Sequence, residues 1–229
     1  MIDTHSHIYS EEFDADRDEV IQRAKEAGVT KIVLPNVDAQ SLPRMLELEA
    51  QYPDYCYAAV GLHPESVKEN YQIELDIIRE ELERRKYLAV GEIGIDLYWD
   101  KTYQTEQIRA FQTQVEWAIE FNLPVIIHVR NSHNETIQAL KPYSGKGLKG
   151  IFHCFGGTPE EAAEIFSLGD FKLGIGGVVT FKNSGLAATL IHIPLEKLVL
   201  ETDSPYLTPV PFRGKRNESS YLRYVAARL

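Results

Sequence analysis

Short apolar, β-branched runs recur along the chain at Ile2–Thr4, Lys31–Leu34, Tyr57–Val60, Leu88–Val90, Val125–Ile127, Gly150–Phe152, Lys172–Ile175 and Leu198–Leu200. Each has the composition and flanking residues of a strand. Several are continuously apolar, as in the PVIIHV that starts at Pro124, and such runs suit a parallel sheet buried on both faces. Between the runs the apolar spacing turns helical. Val20, Ala24 and Ala27 keep that spacing and Gly28 follows as a stop; Leu75, Ile78 and Leu82 mark a third helix, and Ile108, Phe111, Val115 and Ala118 a fourth. Asp38 is placed to cap the second helix, and Thr158-Pro159-Glu160-Glu161 reads as a capping box with proline in the first turn. Tyr221, Leu222, Val225 and Leu229 predict a last helix that is short enough to leave part of the barrel bottom uncovered. Eight strands alternating with helices predict an α/β fold, a (β/α)8 TIM barrel filling residues 1–229 as a single domain. A doubly wound open sheet shares this pattern, because alternation alone does not show closure.

Composition narrows the setting. The chain has 229 residues, 44% of them hydrophobic, which suffices for a sizeable core, and no apolar run reaches membrane-spanning length. Asp3 interrupts the opening apolar stretch, which reads against a signal peptide, and Cys56 and Cys154 make no disulfide framework. A soluble, cytoplasmic protein is expected, with no obligate protein partner and a monomeric state. The formal net charge is −10, so a polyanion would have to bind through a local basic patch or through metal ions.

The polar residues change the picture most. In a barrel of this type, chemistry gathers at the C-terminal ends of the strands. The first strand runs into His5 and His7, which have one parity and so share a face with each other and with Asp3. The third ends in GLHPE with His63, the fourth in GEIGID with Glu92, the fifth in IIHVR with His128 and Arg130, the sixth in IFHCF with His153, and the eighth in LETDSP with Asp203. Of seven histidines, only His133 and His192 lie elsewhere. Any one of these is ordinary as a hydrogen-bonded core histidine. Together with Glu92 and Asp203 at one barrel mouth, they call for divalent metal. His5 and His7 are placed to hold one ion and His128 and His153 a second, with Glu92 bridging and Asp203 completing the first shell and facing a water.

MIDTHSH, GLHPE, GEIGID, IIHVR, FHCF and ETDSP, in this order and with the late stretch PFRGKRNE, resemble the TatD family of metal-dependent deoxyribonucleases, members of the amidohydrolase-like barrel superfamily. The resemblance covers essentially the whole chain. It implies a (β/α)8 barrel and a nuclease that hydrolyses phosphodiester bonds in DNA, with single-stranded or frayed ends as substrate and exonuclease action expected. It implies that His5, His7, Glu92, His128, His153 and Asp203 bind two divalent metal ions (Mg, Mn or Zn), and that His63 and Arg130 lie near the substrate phosphate. Glu92 and Asp203 are the residues expected to be catalytic, Asp203 as general base. Family members often carry an acidic residue after the arginine matching Arg130, where this chain has Asn131, and they usually run on past Leu229.

Arg213, Lys215 and Arg216 follow strand eight, and Arg130 and Lys182 come from loops at the same face, so together they are placed to cradle phosphates. Tyr98, Trp99 and Tyr103, after strand four, suit either stacking on bases or covering the helix beneath. The competing function is a small-molecule amidohydrolase, phosphotriesterase or lactonase on the same barrel. Strand four supplies Glu92 and no lysine, which argues against the subgroup that bridges its metals with a carboxylated lysine.

Overall fold

The computed structural model describes residues 1–229. Eight strands, β1 (Ile2–Asp3), β2 (Lys31–Pro35), β3 (Cys56–Ala59), β4 (Val90–Asp96), β5 (Val125–Arg130), β6 (Lys149–Phe152), β7 (Asp170–Ile175) and β8 (Leu198–Leu200), alternate with eight helices. The helices are α1 (Arg17–Glu26), α2 (Leu42–Gln51), α3 (Tyr71–Arg84), α4 (Gln104–Glu120), α5 (His133–Leu140), α6 (Pro159–Leu168), α7 (Leu186–Leu190) and α8 (Leu222–Ala226). All strand pairings are parallel: β1 to β3 in order, and β4 to β8 in order.

Two seams join these arcs into a closed barrel. Val60 bridges Val90, and the Gly91 amide donates to Val60 O at 2.9 Å. Ser6 bridges Ser204, and the Thr4 amide donates to Leu200 O at 3.0 Å. The open-sheet alternative is thereby removed. A continuous apolar cluster fills the space between strands and helices, with Phe13, Phe111, Phe152 and Phe171 among its fully buried members.

Most expected elements lie within a residue or two of their places. The Thr158 capping box is present, with the Thr158 side chain accepting from the Glu161 amide and the Glu161 side chain from the Thr158 amide. Two expectations are corrected. Asp38 does not cap α2; Ser41 precedes that helix, and Asp38 accepts from the Ser41 amide at 2.8 Å. The fourth strand is Val90–Asp96 and not Leu88–Val90, so Glu92 sits inside it. Gly91 and Gly94 mark close approach of neighbouring strands. A Cβ on Gly94 would stand 2.0 Å from His128 O, and one on Gly91 2.6 Å from Ile126 Cβ. The last helix is short, as expected, and all three residues of β8 are only half-buried, whereas every residue of β4 is buried.

Candidate metal centre

The Glu92 carboxylate is the hub of the barrel mouth. Its place on β4 leaves it 2% exposed and ringed by imidazoles from four other strand ends. Oε2 lies 3.1 Å from His5 Nε2 and 3.5 Å from His7 Nε2. Oε1 lies 2.9 Å from His128 Nδ1, 3.5 Å from His63 Nε2 and 3.8 Å from His153 Nε2. Asp203 Oδ1 is 3.8 Å from the Nε2 atoms of His5, His7 and His153. His5, His7, Glu92, His128, His153 and Asp203 therefore meet at one place.

These separations suit cations. Donor atoms of a four-coordinate ion with bonds of about 2.1 Å stand about 3.4 Å apart. His5 Nε2 and His7 Nε2 are 3.2 Å apart, and both lie 3.1–3.8 Å from Glu92 Oε2 and Asp203 Oδ1. Around the other Glu92 oxygen the donors group less tightly. His153 stacks on His5 at 3.5 Å between ring centroids, while the His128 and His153 rings are 6.3 Å apart. The groupings that fit a metal are His5, Glu92 and His153; His5, His7 and Asp203; His63, Glu92 and His128; and His153, Cys154 and Glu201.

The outer nitrogens also fit metal binding. Tyr9 OH donates to Pro35 O at 2.6 Å, so its oxygen accepts from His7 Nδ1 at 3.0 Å. Asp96 Oδ2 accepts from His128 Nε2 at 2.8 Å. Glu201 Oε1 lies 3.0 Å from His153 Nδ1. A proton held on each outer nitrogen leaves the inner nitrogen's lone pair facing the centre, the form that ligates metal. Two outer nitrogens lack a hydrogen bond: His5 Nδ1 meets no partner, and His153 Nδ1 makes none despite its approach to Glu201.

His63 reads differently. Its Nδ1 accepts from the Glu65 amide at 3.1 Å, so the neutral ring carries its proton on Nε2 and donates into the site. Distance alone admits His63 as a ligand, whereas its tautomer makes it a hydrogen-bond donor.

Without cations, protons take up the charge. Burial opposes protonation of His128, but its hydrogen bonds to Asp96 and Glu92 prevail and raise it to about 9. Burial likewise opposes protonation of His153, and the charges of Glu201, Asp203 and Glu92 raise it to about 10. His5 is held well below the usual range by burial and by His153. Burial opposes ionisation of Glu92, but the surrounding histidines win and hold it well below the usual range. Burial raises Asp203 to about 6 against the pull of His153 and His7. Glu92, Asp96, Glu201 and Asp203 thus crowd one buried region, a cost that divalent cations offset.

Arg130 lies on the rim, its guanidinium 4.0 Å from the centre of the Tyr98 ring. Arg213 is exposed and stacks 3.8 Å from the centre of the Phe181 ring. Arg216, expected to join the phosphate cradle, instead pairs with Asp16 at 2.7 Å, so the basic stretch is only partly free. Tyr103 packs against the core, whereas Trp99 is 71% exposed. His133 pairs with Glu164 on the surface and His192 is exposed, both outside the centre. Asp3, despite its parity, is turned away: it accepts from the Thr202 amide and from the hydroxyls of Thr202 and Ser219.

Asp96, Glu201 and Tyr9 were not singled out from the sequence. Parity held the signal for the carboxylates, since Asp96 follows Glu92 by an even step along β4 and Glu201 precedes Asp203 by two. Three non-glycine residues beside the centre adopt left-handed backbone, Asn131 (φ 52°), Cys154 (φ 50°) and Asp203 (φ 56°). Such conformations cost about 1–3 kcal/mol each and cluster at functional sites. Asn is among the residues that best tolerate this region, which suits Asn131 to its place.

Fold and site together define a (β/α)8 barrel with clusters of His, Glu and Asp able to bind metal. Comparison with known proteins places it further. Residues 2–229 match the family model described as TatD related DNase, and the chain belongs to that family. It is 41% identical to a Bacillus subtilis protein named "Uncharacterized metal-dependent hydrolase YabD", over 100% of this chain and 89% of that protein. It is 35% identical to the "3'-5' ssDNA/RNA exonuclease TatD" of Pectobacterium carotovorum, over 98% of this chain and 88% of that protein. The crystal structure of YjjV, a TatD homologue from Escherichia coli, superposes with a TM-score of 0.92 at 34% identity, covering 100% of this chain and 88% of that one. The protein is a metal-dependent hydrolase of the TatD family. No helix is long and apolar enough to cross a membrane.

Proposed function

We propose that the protein is a nuclease that hydrolyses phosphodiester bonds in single-stranded DNA or frayed DNA ends, working from an end, with residues 1–229 as one hydrolase unit. The observation that carries this is Glu92, whose two oxygens face two separate imidazole groups. That arrangement suits a carboxylate shared between two divalent ions, the clamp used for displacement at phosphorus. Relatives named as ssDNA/RNA exonucleases support the substrate class.

In this reading His5, His7 and Asp203 hold one ion, His128 and His153 the other, and Glu92 both. Ions held there supply Lewis-acid stabilisation of the phosphate oxygens and acidify an attacking water. Zinc and manganese match the imidazole donors better than magnesium does. Asp203, at the mouth beside His5, His7 and His153, takes the water's proton as general base. His63 donates its Nε2 proton to a non-bridging phosphate oxygen. Arg130 on the near rim and Arg213 on the loop after β8 pair with phosphates, which answers the overall negative charge.

The test is release of label from single-stranded DNA marked at either end, with Asp203→Asn and Glu92→Gln alongside. Both variants are expected to keep the fold and lose at least about a hundredfold in rate, the low end for removing a general base. Normal activity and metal content in both variants would sink the assignment. Hydrolysis of lactones or phosphotriesters with none of DNA would replace it with the small-molecule reading.

A further inference from the structure

The aromatic loop after β4 is built for more than cover. Trp99 is 71% exposed and Tyr98 50% exposed, so neither ring shields the helix beneath. The two rings meet edge to face at 4.6 Å. The Arg130 guanidinium lies 4.0 Å from the Tyr98 centroid and 5.3 Å from that of Trp99. Trp99, set edge to face against Tyr98 and well exposed, offers a flat apolar surface beside a half-exposed cation. A nucleotide presents the matching pair, a base with π-faces and a phosphate.

The platform is tied to the metal centre. The Tyr98 amide donates to Asp96 Oδ1 at 2.9 Å, and Asp96 Oδ2 accepts from His128 Nε2 at 2.8 Å. One carboxylate thus fixes the aromatic loop and an imidazole of the centre. The Asp96 amide is itself pinned by Gln107 Oε1 at 2.8 Å, and the Leu97 amide by Arg130 O at 2.9 Å. The backbone that carries Tyr98 is therefore held beside His128.

From this geometry we infer that Tyr98 and Trp99 form a base-stacking subsite for a nucleotide next to the one being cleaved, with Arg130 on the intervening phosphate. The inference rests on the nuclease reading for the identity of the ligand. It explains a requirement for single strands, because a base must leave its duplex stack to lie on the indole. The platform has no use for a lactone or a small amide.

Tryptophan fluorescence tests it, since the chain has only Trp99 and Trp117. The metal-loaded, full-length Asp203→Asn protein is titrated with short oligo(dT) and with an abasic strand of equal length. Oligo(dT) is expected to quench the signal and the abasic strand to leave it unchanged. The quench should persist in Trp117→Phe, whose site lies on α4, and vanish with Trp99→Ala. Trp99→Ala should also weaken oligo(dT) binding about tenfold, read by anisotropy, with most of the affinity kept in Trp99→Phe. Equal affinity for both strands, or unchanged binding by Trp99→Ala, would overturn the inference. Base-dependent quenching without hydrolysis by the unaltered protein overturns the nuclease reading alone, and hydrolysis with base-independent binding overturns this subsite alone.

Discussion

Replacing Glu201 with glutamine should weaken one metal site and spare the other. Glu201 is fully buried, accepts from the Cys154 amide at 2.6 Å with Oε1, and brings the same oxygen within 3.0 Å of His153 Nδ1. Its Oε2 meets no donor. The carboxylate is there because Gly174 makes room: a Cβ at that position would lie 2.0 Å from Oε2. Glutamine keeps the shape and the acceptor for Cys154 but removes the charge behind His153. Loss of such a carboxylate typically costs 10–100-fold in metal affinity, or about 1.4–2.7 kcal/mol. Zinc titration against a competing chelator should show one equivalent weakened by that factor and the other within about threefold. Gly174→Ala, which displaces the carboxylate without removing its charge, should weaken the same equivalent. Two unchanged equivalents, or equal weakening of both, would refute the reasoning.

Other outcomes follow from the same geometry. Metal affinity should rise as pH increases from 6 toward 9, because ions must displace the protons held by His128, raised to about 9, and His153, raised to about 10; affinity flat over that range would contradict it. In metal-free protein those two raised imidazoles stabilise the fold fully below about pH 6.5, their unfolded value. That contribution is lost as pH rises through about 9 and about 10, so the urea midpoint should fall over this window. His63→Phe, which loses the Nε2 donor, should lower kcat about a hundredfold with metal content unchanged in elemental analysis. Asp3→Asn should destabilise by about 1–3 kcal/mol in urea denaturation, since it disturbs a buried carboxylate that accepts from Thr202 and Ser219 at the β1–β8 seam.

Much of this was legible in the chain because barrel strands are short, apolar and regularly spaced. Val125, Ile126 and Ile127 of PVIIHV are buried as their apolar run requires, and the helical stripes between strands place each polar residue at a strand end. The gathering of His5, His7, His63, His128 and His153 followed from that alone. What stayed hidden depended on three-dimensional approach. Gly91 and Gly94 let β4 press against β5 and carry Glu92 inward, a close approach that the strand's own sequence does not announce. Asp3 shares the parity of His5 and His7, but the β1–β8 seam supplies it with other donors. The pairing of Asp96 with His128 and of Glu201 with His153 needed strand offsets that no single segment encodes. Arg216 looked like a phosphate ligand until α1 brought Asp16 beside it.

The most direct test of the central claim couples occupancy to chemistry. Chelator-stripped protein would be titrated with manganese while hydrolysis of end-labelled single-stranded DNA is followed, with Asp203→Asn titrated in parallel. The account expects no product without metal, activity that climbs to a plateau at two equivalents per chain, and an Asp203→Asn protein that takes up metal yet yields no product. Hydrolysis that survives stripping, or a fully loaded protein that leaves the strand intact, would contradict it.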